Sequence, residues 1–276
     1  MGRLIVNADD FGLTAGVNRA VIELHRAGVL TSATLMAHAE ATEEAIELAR
    51  ATPTLGVGCH VVLLDGEPLL SPSTLVAART GRFHPTFTTF LVPLLSERIR
   101  AAEIEAEVAA QIALLQSRGV KLTHIDTHKH VHFFPTVLRP VLRAAKAAGI
   151  HAVRNPFEPA WSRRATRGAG LIRRAEVSLL RLLEPSFRRI VAEEGFTTND
   201  GALGVLATGS LNAATLRALL GNLPAGSWEL VSHPGYNDAD LARAHTRLLE
   251  SREMERAALA SLPFREEFER IDFSRL

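Results

Sequence analysis

Short apolar runs alternate with longer stretches of helical period along most of the chain. "RLIVNA" at 3–8 reads as a strand, and "AGVNRAVIELHRAG" then repeats apolar residues at helical spacing up to Gly28, a good C-terminal stop. The same rhythm gives strands at "VLTSATLMA", "LGVGCHVVLL", "VKLTHIDTH", "IHAVRNPF", "ALGVLATG" and "WELVSHPGY". Helices are expected over "ATEEAIELARAT", "AEIEAEVAAQIALLQSRG", residues 136–148 and, as one closing helix, "DADLARAHTRLLESREMERAALASL". About seven strands interleaved with helices, most of them apolar on both faces, predict parallel βαβ units. The fold class expected from this pattern is α/β, parallel strands around a barrel interior with helices outside, forming a single domain over residues 1–276. A loop-rich insertion interrupts it at about 65–99, long enough to serve as a lid or substrate wall.

The strand ends carry polar groups that the pattern alone does not explain. The first strand ends in Asn7, Asp9 and Asp10, the third carries His60, and the seventh runs out through Ser232 and His233. The fourth leads into "THIDTHKHVHFFP", which holds His124, Asp126, His128, His130 and His132 at alternate positions. If that stretch is extended, all five project from one face. In a parallel barrel the C-terminal strand ends share one face, so these groups converge there. Two imidazoles and a carboxylate form a common donor set for a divalent cation with open positions. His60 also fits a hydrogen-bonded core histidine, and Asp9–Asp10 a helix cap. His124, Asp126, His130 and His132 are expected to orient ligands or touch substrate rather than all bind a cation. Asp9 and Asp10, being adjacent, can both face the site only if the strand breaks there, and Gly12 permits such a break.

Composition changes this picture little. The 276 residues carry a formal net charge of +1, which gives no bulk electrostatic reason to expect nucleic acid. Cys59 is the only cysteine, so no intrachain disulfide is expected, and it should pack away from His60. The opening "MGRLIVNADDFG" meets two aspartates too soon for a signal peptide, and a cytoplasmic location is expected. Residues 163–190 carry Arg163, Arg164, Arg167, Arg173, Arg174, Arg181, Arg188 and Arg189 among leucines. They fit a solvated barrel helix or a membrane-surface contact. Phe83, Phe87 and Phe90, with Trp161 and Trp228, are candidate sugar-stacking surfaces. Arg154 and Asn155, at the fifth strand's end, fit contacts to a sugar hydroxyl or carboxylate, or a structural ion pair.

"NADDFG", "GVGCHVVLLDG", "THIDTHKHVHFFP" and "SHPGYND", in this order, resemble the motifs of the YdjC-like carbohydrate deacetylases. That family includes chitooligosaccharide deacetylases and a group associated with hopanoid biosynthesis. The resemblance runs from Leu4 to about Leu262. It implies a distorted (β/α) TIM-like barrel and hydrolytic removal of an acetyl group from an N-acetylated sugar, with Asp10, His60 and His128 binding one divalent cation. Mg or Zn is implied first, with Mn, Fe and Co also compatible with the donors. Asp9 would be the general base and His233 the acid beside the leaving group. An N-acetylated oligosaccharide or glycolipid is the expected partner, and a homodimer is left open. A metallohydrolase for a phosphoester or cyclic amide, and a non-catalytic sugar-binding barrel, are the rival readings.

Overall fold

The computed structural model describes residues 2–221, 223–261 and 268–276. Among these residues nine parallel strands make one sheet: β1 (Gly2–Phe11), β2 (Ser32–Leu35), β3 (Gly56–Val61), β4 (Leu122–Thr127), β5 (Ala152–Val153), β6 (Thr197–Thr198), β7 (Gly201–Leu203), β8 (Gly226–Ser232) and β9 (Phe268–Arg270). Eight follow the order β6-β5-β4-β3-β2-β1-β8-β7, and β9 pairs with β1 off that path. The seven strands expected are present, together with β6 and β9. These two, at two and three residues, are too short to show a period.

The sheet's two edge strands, β6 and β7, are three residues apart in sequence. The chain between them spans at most about 10 Å, so the sheet must curl until its edges nearly meet. Side-chain amides fill the seam where no ladder forms. Asn199 Oδ1 accepts from Asn155 N–H (2.7 Å), Asn199 Nδ2 donates to Gly201 O (3.0 Å), and Ala202 N–H donates to Phe157 O (3.2 Å). The result is a distorted, incompletely closed TIM-like barrel wrapped by helices.

β1 and β3 are buried along nearly their whole length because helices cover one face and the barrel interior the other. The helix Ala15–Arg26 starts where Thr14 Oγ1 accepts from Val17 N–H (3.2 Å), and Gly28 follows it at φ +73. Gly58 has a steric reason to be glycine. A Cβ there would lie 2.4 Å from the His124 ring.

Two expectations need correction. The tail is not one helix but two, Ala239–Arg243 and Glu250–Ala260, and its last expected residue, Leu262, lies outside the described residues. The chain turns extended at Ala244 (ψ 141), and the second helix has Arg252 and Glu255 buried. The 65–99 stretch is mostly loop and includes one helix, Phe87–Leu95, opened by reciprocal hydrogen bonds between Thr86 and Thr89, which leaves the expectation of a loop-rich insertion uncorrected. Glu107 tethers this stretch, its carboxylate accepting from the backbone of Leu69 (2.9 Å) and Leu70 (3.0 Å). Phe83 and Phe90 are buried in the core, so they offer no stacking surface, while Phe87 packs on Phe134 at 6.1 Å.

Candidate active site

β1 brings Asp9 and Asp10 inward by breaking its own regularity. Asp10 sits at φ +64 and Gly12 at φ +99, and the register with β2 shifts between Ala8 and Phe11. A non-glycine residue held in this region costs roughly 1–3 kcal/mol. The surroundings impose it: Gly12 N–H donates to Asn18 Oδ1 (2.8 Å), and Arg252 Nη2 donates to Asp10 Oδ2 (2.6 Å).

β4 delivers its groups differently from the alternation expected. The strand stops at Thr127, and a kinked turn spans His128–Phe133, with Lys129 at φ 55 and His130 at φ 57. Strand alternation therefore governs His124 and Asp126 only. Lys129 pairs with Asp65, which also meets His245, so the turn is tied to two other loops.

Three donor atoms converge. Asp10 Oδ1 lies 3.3 Å from His60 Nε2 and 3.2 Å from His128 Nδ1, and the two imidazole nitrogens are 3.3 Å apart. Asp10 Oδ1 is buried with no hydrogen-bond partner. Two donors each about 2.1 Å from one cation at a tetrahedral angle stand about 3.4 Å apart, so the triangle has the right size. Charge points the same way. Among the described residues, five buried carboxylates (Asp9, Asp10, Asp126, Glu229 and Glu255) face two buried guanidiniums (Arg154 and Arg252), and they raise the proton affinity of both His60 and His233. A cation bound at Asp10, His60 and His128 would take the place of the proton they hold on His60. Buried charge without a partner is otherwise costly.

The surrounding shell fixes each donor. His60 Nδ1 meets Asp126 Oδ1 at 2.8 Å and Thr34 Oγ1 at 3.2 Å, which turns Nε2 toward the triangle. Arg154 sits at the hub of Asp9, Asp126 and Glu229. It donates to Asp9 through Nη1 (2.8 Å) and Nη2 (2.6 Å), to Glu229 Oε1 through Nε (2.8 Å), and pairs with Asp126. Asn7 Nδ2 (2.8 Å) and Thr34 Oγ1 (3.2 Å) also donate to Asp9 Oδ1. Asp9 Oδ2 lies 3.8 Å from His233 Nε2, and His233 Nδ1 lies 3.8 Å from Glu255 Oε2, which also accepts from the His233 backbone N–H (2.6 Å). Side-chain exposure is 19% for His128 and 12% for His233, against 4% or less for Asp9, Asp10, His60 and Asp126, so the cluster opens on the His128–His233 side.

The proton affinities follow from these contacts. Burial alone would raise Asp9, but the Arg154 guanidinium and the fields of His60 and His233 hold it well below the carboxylate range. Burial is likewise outweighed at Asp10, chiefly by Arg252. Burial opposes charge on His60, yet Asp126, Asp10 and Asp9 push it up to about 10. His233 is raised against burial by Glu255, then by Asp9 and Asp10. Burial lifts Glu229 to about 7 despite Arg154.

The remaining sequence candidates sit elsewhere or do structural work. His124 is buried and stacked on Phe273 (centroids 3.7 Å apart, 11° between planes), and burial pushes it down to about 3. His132 bridges Thr127 Oγ1 (2.7 Å) and Arg154 O (3.1 Å), and burial pushes it down to about 4. His130 lies in the kinked turn against His132 and Phe133, lowered by burial. Arg154 and Asn155 are fully buried, the first in the carboxylate hub and the second in the barrel seam. Cys59 packs in the hydrophobic core. Sequence reading missed Glu229, Thr34, Arg252 and Glu255. Glu229 had a signal, a carboxylate inside the apolar strand "WELV". Arg252 and Glu255 had none, since "ESREMERA" reads as an ordinary charged helix.

The family model described as YdjC-like protein matches residues 3–270. A carbohydrate deacetylase of Thermoanaerobacter pseudethanolicus (strain ATCC 33223 / 39E) is 30% identical over 244 residues, covering 87% of this chain and 84% of that protein. One of Brevibacillus brevis (strain 47) is 46% identical over 144 residues, which is 52% of this chain and 56% of that protein, so this alignment spans little more than half of the relative's length. Among solved structures, an Enterococcus faecalis V583 protein described in terms of cellobiose-phosphate cleavage superposes with a TM-score of 0.73 at 26% identity, covering 94% of this chain and 91% of that one.

Proposed function

This chain belongs to the YdjC-like protein family, and we propose that it hydrolyses the acetamide of an N-acetylated amino sugar, releasing acetate. The observation that carries this reading is the triangle of Asp10 Oδ1, His60 Nε2 and His128 Nδ1, with Asp9 and His233 paired beside it. Its relatives named carbohydrate deacetylases supply the substrate class. Asp10, His60 and His128 would hold one divalent cation, which when bound polarises the acetyl carbonyl and lowers the pKa of water from about 15.7 toward 7. One oxygen and two nitrogens suit Zn, Mn, Fe or Co, whereas Mg usually takes more oxygen.

The protein's own groups then divide the proton work. Asp9 takes the proton of the attacking water through Oδ2, the oxygen that faces His233. Arg154 fixes that carboxylate and keeps it ionised. A carboxylate this well stabilised is a weak base, so it can take that proton only from a water whose own pKa is lowered. His233, protonated because Glu255 stands behind it, gives a proton from Nε2 to the departing amine. Water and amide are consumed, and acetate and a free amine result.

Protein stripped with chelator and reloaded with Zn, Mn, Co or Mg is the test, with N-acetylglucosamine oligomers as substrate. Equal amounts of acetate and new amine, lost on chelation, are expected. Absence of acetate with every ion, alongside cleavage of a cellobiose phosphate offered in parallel, would move the assignment to a different bond.

A further inference from the structure

Most exposed large apolar side chains of a soluble domain are scattered and need no explanation. Here four of them share one short segment: Leu171 (85% exposed), Ile172 (79%), Leu179 (66%) and Leu182 (74%), on the helix Leu171–Leu180 and the turn Arg181–Leu183 that extends it. At about 100° per residue, Leu171, Leu182, Ala175, Leu179 and Ile172 fall within an arc of about 100°. The helix's buried residue, Val177, lies opposite that arc. The helix therefore has an inward apolar contact and a second apolar stripe facing out.

The chain around this stripe is rich in arginine, part of it engaged: Arg173 pairs with Glu176, and Arg181 and Arg188 pair with Glu184. Between 163 and 190 the chain carries eight arginines and two glutamates, Glu176 and Glu184. Arg163 and Arg174 hold the preceding loop, through Ser178 and the carbonyls of Arg163, Thr166 and Ala169. Arg164 and Arg167 are exposed, with no carboxylate partner among the described residues. The segment leaves the C-terminal end of β5, and Arg173 Nη2 donates to Val205 O (3.1 Å), just past the C-terminal end of β7. It thus stands on the rim of the barrel face that carries the active-site cluster.

We propose that this segment seats the protein on an anionic lipid surface, the stripe entering the headgroup boundary and the arginines meeting lipid phosphates. Between 163 and 190 arginines outnumber glutamates by eight to two, a charge that an anionic surface complements. A basic rim around a narrow apolar stripe is the pattern that binds bilayer interfaces. Among the described residues no helix is long and apolar enough to cross a membrane, so the seat is peripheral. This inference does not depend on the reaction proposed above.

The full chain is to be sedimented with vesicles of phosphatidylcholine alone and of phosphatidylcholine with phosphatidylglycerol, at ~0.05 M and ~0.5 M salt. Binding to the anionic vesicles, weakened at high salt, is expected. The pair Leu171→Ser and Ile172→Ser should weaken it about tenfold, and the pair Arg164→Gln and Arg167→Gln about as much at low salt. Both pairs are exposed, so melting and acetate release from a soluble oligomer should stay unchanged. Equal sedimentation with neutral vesicles, or full binding by either double variant, overturns the proposal. A concentration-dependent dimer that Leu171→Ser and Ile172→Ser abolishes would also overturn it, assigning the stripe to a second copy of the chain.

Discussion

Two buried imidazoles on neighbouring strands, His60 on β3 and His124 on β4, meet opposite fates. His60 is pushed up to about 10 and His124 down to about 3. Both are buried, so burial does not separate them. What differs is the company. Asp126, Asp10 and Asp9 surround His60, whereas His124 has the Phe273 ring on its face and a buried Nε2 without a partner. The mouth of the barrel sets carboxylates directly against an imidazole, whereas His124 is packed on an aromatic ring with no carboxylate in contact among the described residues.

The comparison breaks most visibly at the proton carriers of the mouth. Asp9→Asn and His233→Ala should each lower kcat by about 10²- to 10⁴-fold while cation binding survives. Initial rates beside metal analysis check this, and near-normal turnover in either variant removes that residue from the chemistry. Asp126→Asn keeps the shape but weakens the group that orients His60, and should loosen cation affinity by about 10- to 100-fold.

A subtler change sharpens the role of Glu255. His233 is raised above its ordinary 6.5, so its acid form is complete at low pH and is lost as pH climbs through the raised value. Glu255→Gln removes the main cause of that rise. The alkaline limb of the kcat profile should therefore move to lower pH, and an unmoved limb would make Glu255 merely structural.

The smallest effect is expected at His124. Its folded pKa lies below its unfolded value near 6.5, so the stability it allows is full above 6.5 and falls as pH drops toward 3. His124→Gln should remove up to about 2 kcal/mol of acid destabilisation between pH 6.5 and 5, seen in melting curves against pH. Turnover should change less than about threefold, and a large loss would place His124 in the reaction.

Much of this was legible in the chain because strands and helices have periods. Seven strands, their parallel βα order and the positions of Asp9, Asp10, His60 and His233 at strand ends follow from pattern, while the distorted barrel came with the family resemblance. The face each histidine of "THIDTHKHVHFFP" takes did not follow. Alternation assumes a continuing strand, and the left-handed turns at Lys129 and His130 end it after Thr127. Arg252 and Glu255 were invisible for another reason. Helix Glu250–Ala260 buries Arg252 and Glu255, whereas Leu171–Leu180 exposes Leu171 and Leu179, and local composition cannot tell which partner each helix meets. Arg154 presented both options, and only the three carboxylates gathered around it show which one the fold uses.

Calorimetric titration of the stripped protein with Zn at several pH values addresses the central claim directly. One cation should bind per chain. Affinity should rise by up to about tenfold per pH unit between 6 and 8, as the proton on His60 becomes easier to displace. Asp10→Asn, His60→Gln and His128→Gln should each abolish the tight site. A stoichiometric site that persists unchanged in all three variants would contradict the account.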